Sequence, residues 1–379
     1  MYKRQESHDL KEEAIEFDDN GAIRSIDAPL ELLDRVTNQG VAFMTDGCPD
    51  RQGEMACNRP YGSYRPGEEF RDYPFLPQTS DLEVIRGEMK ESSLDTIILC
   101  SPKTPYLCIG YHQVLEAVLD RKICDNKELP ILRRRVGGGA TYLDHNQVFY
   151  QCIFHHSRVP ARADKVYQMM LEAPVQVLNQ LGLDGRLRAV NEVEANSMRI
   201  AGIGGGRVGD AMVVVGNLLL DFDYQMMSQV WRASDPGFRE LAATAMEDRV
   251  STLRKMGCQH TIETLEAMLA DAYKASIGRP VIDSELSREE LDSAIKTARD
   301  LSAETFLSLH RPEGEITPMK SLKIAADVFI HRLSVNFNEQ QMEVLARVDQ
   351  GIITDVRGDF QDFTPFKEKM VGSPLSEWK

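Results

Sequence analysis

The sequence predicts an α+β fold: a mixed-sheet unit followed by a smaller α+β unit at the C-terminal end. Three observations predict it. From about residue 82 to 276, short β-branched and aromatic runs alternate with stretches of helical periodicity. At Gly278-Arg279-Pro280 this rhythm stops, and two short helical stretches give way to closely spaced alternating strands. A glycine triplet, Gly137 to Gly139, joins two of the predicted strands directly behind three arginines.

In chain order, residues 6–78 are polar and turn-rich, with one short amphipathic helix expected at 29–38. Residues 96–100 and 107–111 read as strands separated by a Pro-containing turn, and 114–124 has helical periodicity. Ile131-Leu132 leads into the arginine cluster, and the glycines connect to a strand at 147–154. The clearest helix is 163–183, apolar at Val166, Met169, Met170, Ala173, Val177 and Leu178, with Gly182 as its stop. The methionine pair belongs to the core. A buried strand at 211–222 precedes helices at 223–231 and 261–276. Two short helices within 285–310 have Ser284 and Ser287 as expected N-caps. Strands follow at 322–324, 328–330, 342–346 and 352–356. The expected units are an extension (1–78), a main domain (79–278) and a C-terminal accessory domain (282–379).

The chemistry concentrates in Arg133-Arg134-Arg135-Val136-Gly137-Gly138-Gly139-Ala140-Thr141-Tyr142-Leu143-Asp144. Glycines let the backbone take positive φ and approach a ligand closely, so successive N–H groups can point at an anion. Arginines beside them add planar forks suited to phosphate or carboxylate. At least one of Arg133 and Arg135 is expected to face solvent, and Asp144 either caps the loop or serves the site. A second triplet, Gly204 to Gly206, is expected to form a turn opposite the first.

The string resembles the signature of the lipoate-protein ligases, whose fold is shared with biotin-protein ligases and octanoyltransferases. Asn191-Glu192 is similar to the family's Asn-Asp pair, and Met198-Arg199-Ile200-Ala201-Gly202 is similar to its Lys-hydrophobic-small-Gly turn. Val215-Gly216-Asn217-Leu218-Leu219-Leu220-Asp221 resembles the strand that ends in a hydrophobic run and an Asp. Residues 353–360 resemble the accessory C-terminal domain of these ligases. The likeness covers about 80–275 and implies a biotin/lipoate ligase-like catalytic domain, α+β with a mixed sheet, plus a small α+β accessory domain. It implies ATP- and Mg²⁺-dependent activation of lipoate, or octanoate, to an acyl-adenylate. Transfer to a lysine of a lipoyl carrier domain follows, of the 2-oxoacid dehydrogenase E2 or glycine cleavage H protein type. Carried over by position, Arg134, Gly137, Gly138, Gly139, Ala140, Thr141 and Tyr142 hold the nucleotide. Asn191 lies near adenine or Mg²⁺, Gly202 lines the substrate, and Arg199 takes the catalytic position; no metal-ligand set is expected. The family places a lysine where this chain has Arg199, and no lysine occurs between Lys165 and Lys255. Leu143 and Val214-Val215 stand where the family has histidines. An arginine keeps the charge but is no compact ammonium, so restoring Lys at 199 is expected to speed adenylate formation. Two further readings stay open: an adenylate-independent lipoyl or octanoyl transferase, and a non-catalytic lipoate-binding pseudo-ligase.

Composition narrows the classes. With 379 residues, 42% hydrophobic and 27% charged, the chain is long enough for two domains with proper cores. A formal net charge of −15 argues against nucleic acid or an anionic membrane as main partner. No apolar run approaches a membrane span and no signal peptide is visible, so a cytoplasmic protein is expected. Seven cysteines lack framework spacing and read as reduced thiols. Cys48 and Cys57 lie in segments resembling the C-terminal tail of certain radical-SAM enzymes, but two cysteines complete no cluster alone. Cys152 is close to His155 and His156, yet strand alternation puts Cys152 and His155 on opposite faces. Cys258, after a glycine near a helix start, is the better candidate nucleophile. Met1 to Gln5 resembles a translated adapter and is set aside, and both ends read as those of a fragment.

Overall fold

The computed structural model describes residues 93–378, apart from 103, 189–190, 234–235, 280, 284–287, 318, 338–339 and 361, together with strands at 15–17, 23–26 and 41–45. The helix expected at 29–38, the cysteines at 48 and 57 and the N-caps at 284 and 287 lie outside the described residues. Strands β1 (Ile15–Phe17) and β2 (Ile23–Ile26) pair with each other, and β3 (Val41–Thr45) joins the main sheet. There follow β4 (Asp95–Cys100), β5 (Tyr106–Ile109), α1 (Leu115–Val118), α2 (Arg121–Asn126), β6 (Ile131–Arg133), β7 (Thr141–Leu143) and β8 (Gln147–His155). Helices α3 (Ala163–Met170) and α4 (Glu172–Gln180) precede β9 (Gly185–Arg188), β10 (Glu192–Ala195), β11 (Met198–Arg199), β12 (Ile203–Val208) and β13 (Ala211–Leu219). Then come α5 (Tyr224–Val230), α6 (Pro236–Arg249), α7 (Ile262–Ser276), β14 (Val281–Asp283), α8 (Arg288–Ser302) and α9 (Glu304–Leu307). The chain closes with β15 (Ser321–Ala325), β16 (Val328–Phe337), β17 (Gln340–Asp349), β18 (Ile352–Arg357) and α10 (Phe363–Met370).

The main sheet runs β12-β13-β8-β4-β3-β14 and is mixed, because β3 pairs in parallel with both β4 and β14 while the other pairs are antiparallel. Alternation sorts its side chains onto two faces. Ile97, Leu99, Tyr150 and Cys152 pack against Tyr167, Val177, Leu269 and Tyr273 of α3, α4 and α7. Ile98, Cys100, Phe149 and Ile153 meet Cys108 and Leu132 of a second small sheet, and Ala298 and Leu301 of α8. That second sheet, β6-β5-β7, holds the arginine–glycine loop between β6 and β7. A third, β11-β10-β9, carries Arg199 and begins β10 just after Asn191. The meander β15-β16-β17-β18 shares one core with α5, α6 and β5, through Trp231, Leu241, Ile324 and Ile330, and builds another around Phe366.

Local chemistry explains where elements depart from expectation. The helix expected over 163–183 is two helices, because Pro174 has no N–H to give the Met170 carbonyl. The Tyr273 hydroxyl donates to that carbonyl instead, at 3.1 Å. The stretch 114–124 is also divided: Leu119 bridges to Trp231, and the Asp120 carboxylate accepts from the Ile123 N–H to start α2. Gly204 to Gly206 lie in β12, paired with Val215, Val214 and Val213, and not in a turn. Beyond Gly278 the chain stays on the first unit. The buried Asp95 carboxylate binds Arg279 at 2.6 Å and Arg158 at 2.6 Å, and α8 and α9 pack beside β6. An exposed run at 311–316 follows before β15.

Candidate functional site

The β6–β7 loop is built from its arginines. Arg133 is fully buried without a carboxylate at hydrogen-bond distance. Its guanidinium donates to five carbonyls: Gly110 (3.2 Å), Tyr111 (2.6 Å), Gln113 (2.6 Å), Phe306 (2.9 Å) and Leu307 (2.6 Å). Burial lowers its pKa, opposed by the charge of Glu116. Arg133 thus ties the start of the loop to the 110–113 turn and to α9. Arg134 curls back over the glycines, donating from Nη2 to the carbonyls of Gly137 (2.9 Å) and Gly139 (2.8 Å). Arg135 is the exposed member of the three.

Gly138 has φ +104°, which a side chain rarely adopts, and a Cβ on Gly110 would collide with its carbonyl oxygen. Gly137 donates to the Gly205 carbonyl at 3.3 Å, and a Cβ on Gly204 would lie 2.7 Å from the Gly137 carbonyl. The two glycine triplets are therefore in contact, backbone to backbone. Among the described residues the N–H groups of Gly138 and Gly139 donate to no protein group. Adjacent free N–H groups with one positive φ suit an anion.

Opposite the loop, Asn217 organises the second wall. Its Oδ1 accepts from the Gly202 N–H at 2.7 Å, and its Nδ2 donates to Gln147 Oε1 at 2.6 Å. Gln147 in turn donates to the Tyr142 carbonyl at 3.1 Å. Arg199 donates from Nε to the Ala201 carbonyl (3.0 Å) and from Nη1 to the Ile324 carbonyl of β15 (2.6 Å). Glu192, buried, accepts from the Ala326 N–H at 2.8 Å. The C-terminal meander thus lies against the residues of β10 and β11.

Between these walls is a cleft of about 250 Å³. Arg134, Gly138, Gly139, Ala140 and Thr141 line one side, and Asn191, Arg199 and Gly202 another. Phe149, Ile153, Val213, Val215 and Leu301 make a mostly apolar end that also holds Gln151, and Met319, Ser321, Leu322 and Lys323 line the C-terminal side. Eight of the ten expected site residues meet here. Gly137 and Tyr142 stand outside the lining: Gly137 spends its groups on Arg134 and Gly205, while the Tyr142 ring is buried edge-on to Phe222. Burial pushes the Tyr142 hydroxyl up to about 12. Asp144 caps its own loop, accepting from the Asn146 N–H at 2.9 Å.

Sequence reasoning missed Asn217, Gln147 and Lys323. Asn217 stood inside a quoted motif, and a polar residue in an otherwise apolar run was its available signal. Neither candidate cysteine lines the cleft. Cys152 is fully buried beside the Tyr273 hydroxyl at 3.4 Å, and burial pushes its thiol up to about 12. Among the described residues no group of three or more His, Cys, Asp or Glu could hold a metal, and no helix is long and apolar enough to cross a membrane.

The model of one family, described as the lipoyl protein ligase A/B catalytic domain, matches residues 81–274. Lipoate-protein ligase A subunit 1 of Thermoplasma acidophilum is 28% identical over 155 residues, 38% of this chain and 58% of that protein, so the match spans little more than half of that subunit. Octanoyltransferase LipM of Kyrpidia tusciae is 25% identical over 234 residues, 55% of this chain and 84% of that one. Among solved structures, a bi-partite lipoate protein ligase described with its E2 lipoyl domain, from Thermoplasma acidophilum, aligns at TM-score 0.58 and 20% identity, covering 73% of this chain and 99% of that one. A lipoate-protein ligase A bound with ATP aligns at TM-score 0.54 and 19% identity, covering 72% and 99%. These two likenesses show the fold.

Proposed function

This chain belongs to the lipoyl protein ligase A/B catalytic domain family, and we propose that it uses ATP to convert lipoate or octanoate to an acyl-adenylate. The acyl group then passes to a lysine of a lipoyl carrier domain. One observation carries the reading: a single cleft joins two free amide N–H groups at Gly138 and Gly139 to an apolar end that suits an acyl chain. A carboxylate oxygen attacks the α-phosphorus, the acyl–O–P bond forms and pyrophosphate leaves. The carrier's amine then attacks the acyl carbon, AMP leaves with the bonding electrons, and the amine proton goes to solvent. Donors fixed in advance toward the developing charge lower such barriers. The solved relatives' descriptions name ATP and an E2 lipoyl domain, which supports a nucleotide and an E2-type carrier, with the H-protein type sharing the same lysine chemistry.

Magnesium fits weakly as a protein-held ion. Among the described lining residues Glu192 is the one carboxylate, and it already serves Ala326. Magnesium commonly travels on substrate phosphates, and no step above depends on it.

The test is pyrophosphate release with lipoate and with octanoate, followed by mass measurement of an E2-type and an H-type carrier after incubation. Release and a mass gain of one acyl group are expected; a chain silent with both acids contradicts the reading. One observation favours a non-catalytic, acid-binding role: the Arg199 guanidinium is tied through Nε and Nη1 to the Ala201 and Ile324 carbonyls. In that case lipoate binds and no pyrophosphate appears. Cysteine-based transfer without ATP finds less support, because the Cys152 thiol is buried, protonated at neutral pH and away from the cleft.

A further inference from the structure

We infer that Lys323, brought to the cleft by the C-terminal sheet, is the mobile cation of acyl activation, touching the acid carboxylate and the phosphate it attacks. The inference rests on the ligase reading above. Among the described residues, four cationic residues line the cleft: Arg134, Arg135, Arg199 and Lys323. Two are already engaged. Arg134 holds the Gly137 and Gly139 carbonyls, and Arg199 is held in place by those of Ala201 and Ile324 through Nε and Nη1, which leaves its Nη2. Arg135 is exposed on the loop itself, on the same wall as the nucleotide-facing glycines. Lys323 comes from the facing wall, is half-buried, and its ammonium has no acceptor among the described residues.

The backbone of β15 explains how it gets there. Lys323 pairs with Phe329, but the next pair is Ala325 with Val328, so the register skips Ile324. A bulge of this kind leaves one residue unpaired and re-aims its neighbours, often beside an active site. The Ile324 carbonyl, released from the ladder, accepts the Arg199 Nη1–H at 2.6 Å. One irregularity therefore anchors β15 on Arg199, and Lys323, next to it, lines the same cleft.

The chemistry asks for such a group. A carboxylate approaching a polyphosphate brings two anions together, and the Arg134 and Arg199 guanidiniums are held in fixed positions by backbone carbonyls. An ammonium on a flexible stem carries three donors and can contact both anions during attack. It donates hydrogen bonds and transfers no proton: the carboxylate O–P bond forms, the bond to pyrophosphate breaks, and the ammonium stays protonated throughout.

The experiment uses the full chain and its variants Lys323→Met, Lys323→Arg and Arg135→Ala. Calorimetry with a non-hydrolysable acyl-sulfamoyl adenosine reads binding, and pyrophosphate release reads rate. Lys323→Met should bind the analogue at least tenfold more weakly and release pyrophosphate about 10²-fold more slowly, with octanoate affinity changed far less. Lys323→Arg should recover part of the rate, and Arg135→Ala should lose less than Lys323→Met. Wild-type binding and turnover with Lys323→Met unchanged in both overturns Lys323 alone. A wild-type chain that neither binds the analogue nor turns over overturns the ligase reading, and this inference with it. Circular dichroism of Lys323→Met separates lost chemistry from lost folding, and Lys323→Arg, which keeps stem and charge, carries the test if the methionine variant is unfolded.

Discussion

The two walls of the cleft are held in opposite ways. The glycine-loop wall is built inward: Arg133 lies fully buried under it, and five carbonyls from two segments converge on one guanidinium. The β15 wall is attached from outside by a few polar contacts, Arg199 to Ile324, Glu192 to Ala326 and Arg188 to Asp327, beside a shared apolar core. Removing a donor from the first leaves several buried acceptors unsatisfied. In the second, the Arg188–Asp327 pair is open to water while the Glu192–Ala326 bond is buried. Under the proposed function, an inner wall held by buried bonds would grip the nucleotide, and a cover held by fewer polar contacts would admit the carrier domain.

The largest expected effect tests the cradle. Arg133→Ala should cost about 3–5 kcal/mol, because buried acceptors lose a charged donor at once. Urea unfolding of the full chain measures it. A loss below about 1 kcal/mol would mean that water or neighbouring N–H groups replace the guanidinium, and the contrast between the walls would vanish. Gly110→Ala attacks the same wall with less damage to the core. Its new methyl must push the Gly138 backbone carbonyl away, so affinity for an ATP analogue should fall at least about tenfold, and the unfolding midpoint should fall less than in Arg133→Ala. Unchanged affinity would remove the glycine loop from the nucleotide site.

What could be read in the chain follows from the same contrast. The loop glycines, Arg134 and the strand before Asp221 are local patterns, and local patterns survive in sequence. The role of Arg133 does not, since its Leu307 partner lies 174 residues away; adjacency to Arg134 and Arg135 made it look like one of a solvent-facing set. Tyr142 followed the motif into the expected site, but its ring turns into the aromatic group with Phe222. Helix α6 escaped notice because its buried side includes Ala242 and Ala245, which carry little hydrophobic contrast. Lys323 could not be found at all from spacing. It reaches the cleft through a bulge and a packed second unit.

The cover is tested next. By sequence alone, Arg199→Lys should speed adenylate formation; with Lys323 on the facing wall, the rise in pyrophosphate release should stay within a few-fold. A rise near 10²-fold would return the missing cation to position 199 and count against Lys323. The same variant gives up the bond to Ile324, so the β15 wall should loosen. Trypsin reports this. We propose that the exposed run at 311–316 divides the two units better than Gly278 does, because Arg279 is buried on Asp95. Cleavage at Lys320 should precede cleavage at Arg288, the site in 278–290 that no proline follows, and should quicken in Arg199→Lys. First cuts at 278–290 would restore the earlier boundary.

The smallest effect belongs to Asp327, at the rim of the cover. Its carboxylate meets Arg188 at 3.1 Å, with side-chain exposures of 62% and 34%. Exposed pairs of this kind contribute about 0–1 kcal/mol and weaken with salt. Asp327→Asn keeps the size of the side chain and tolerates the positive φ of +59° at this turn, so it removes the charge and little else. Arg188 keeps its stronger bond to the buried Glu194 at 2.7 Å. Urea unfolding should shift by less than about 0.5 kcal/mol at low salt and by nothing measurable at 0.5 M salt, with tryptic cutting at 311–320 unchanged. A large loss, or a sharp rise in cleavage, would show that the rim pair holds the cover in place and that Arg199 and Glu192 do not.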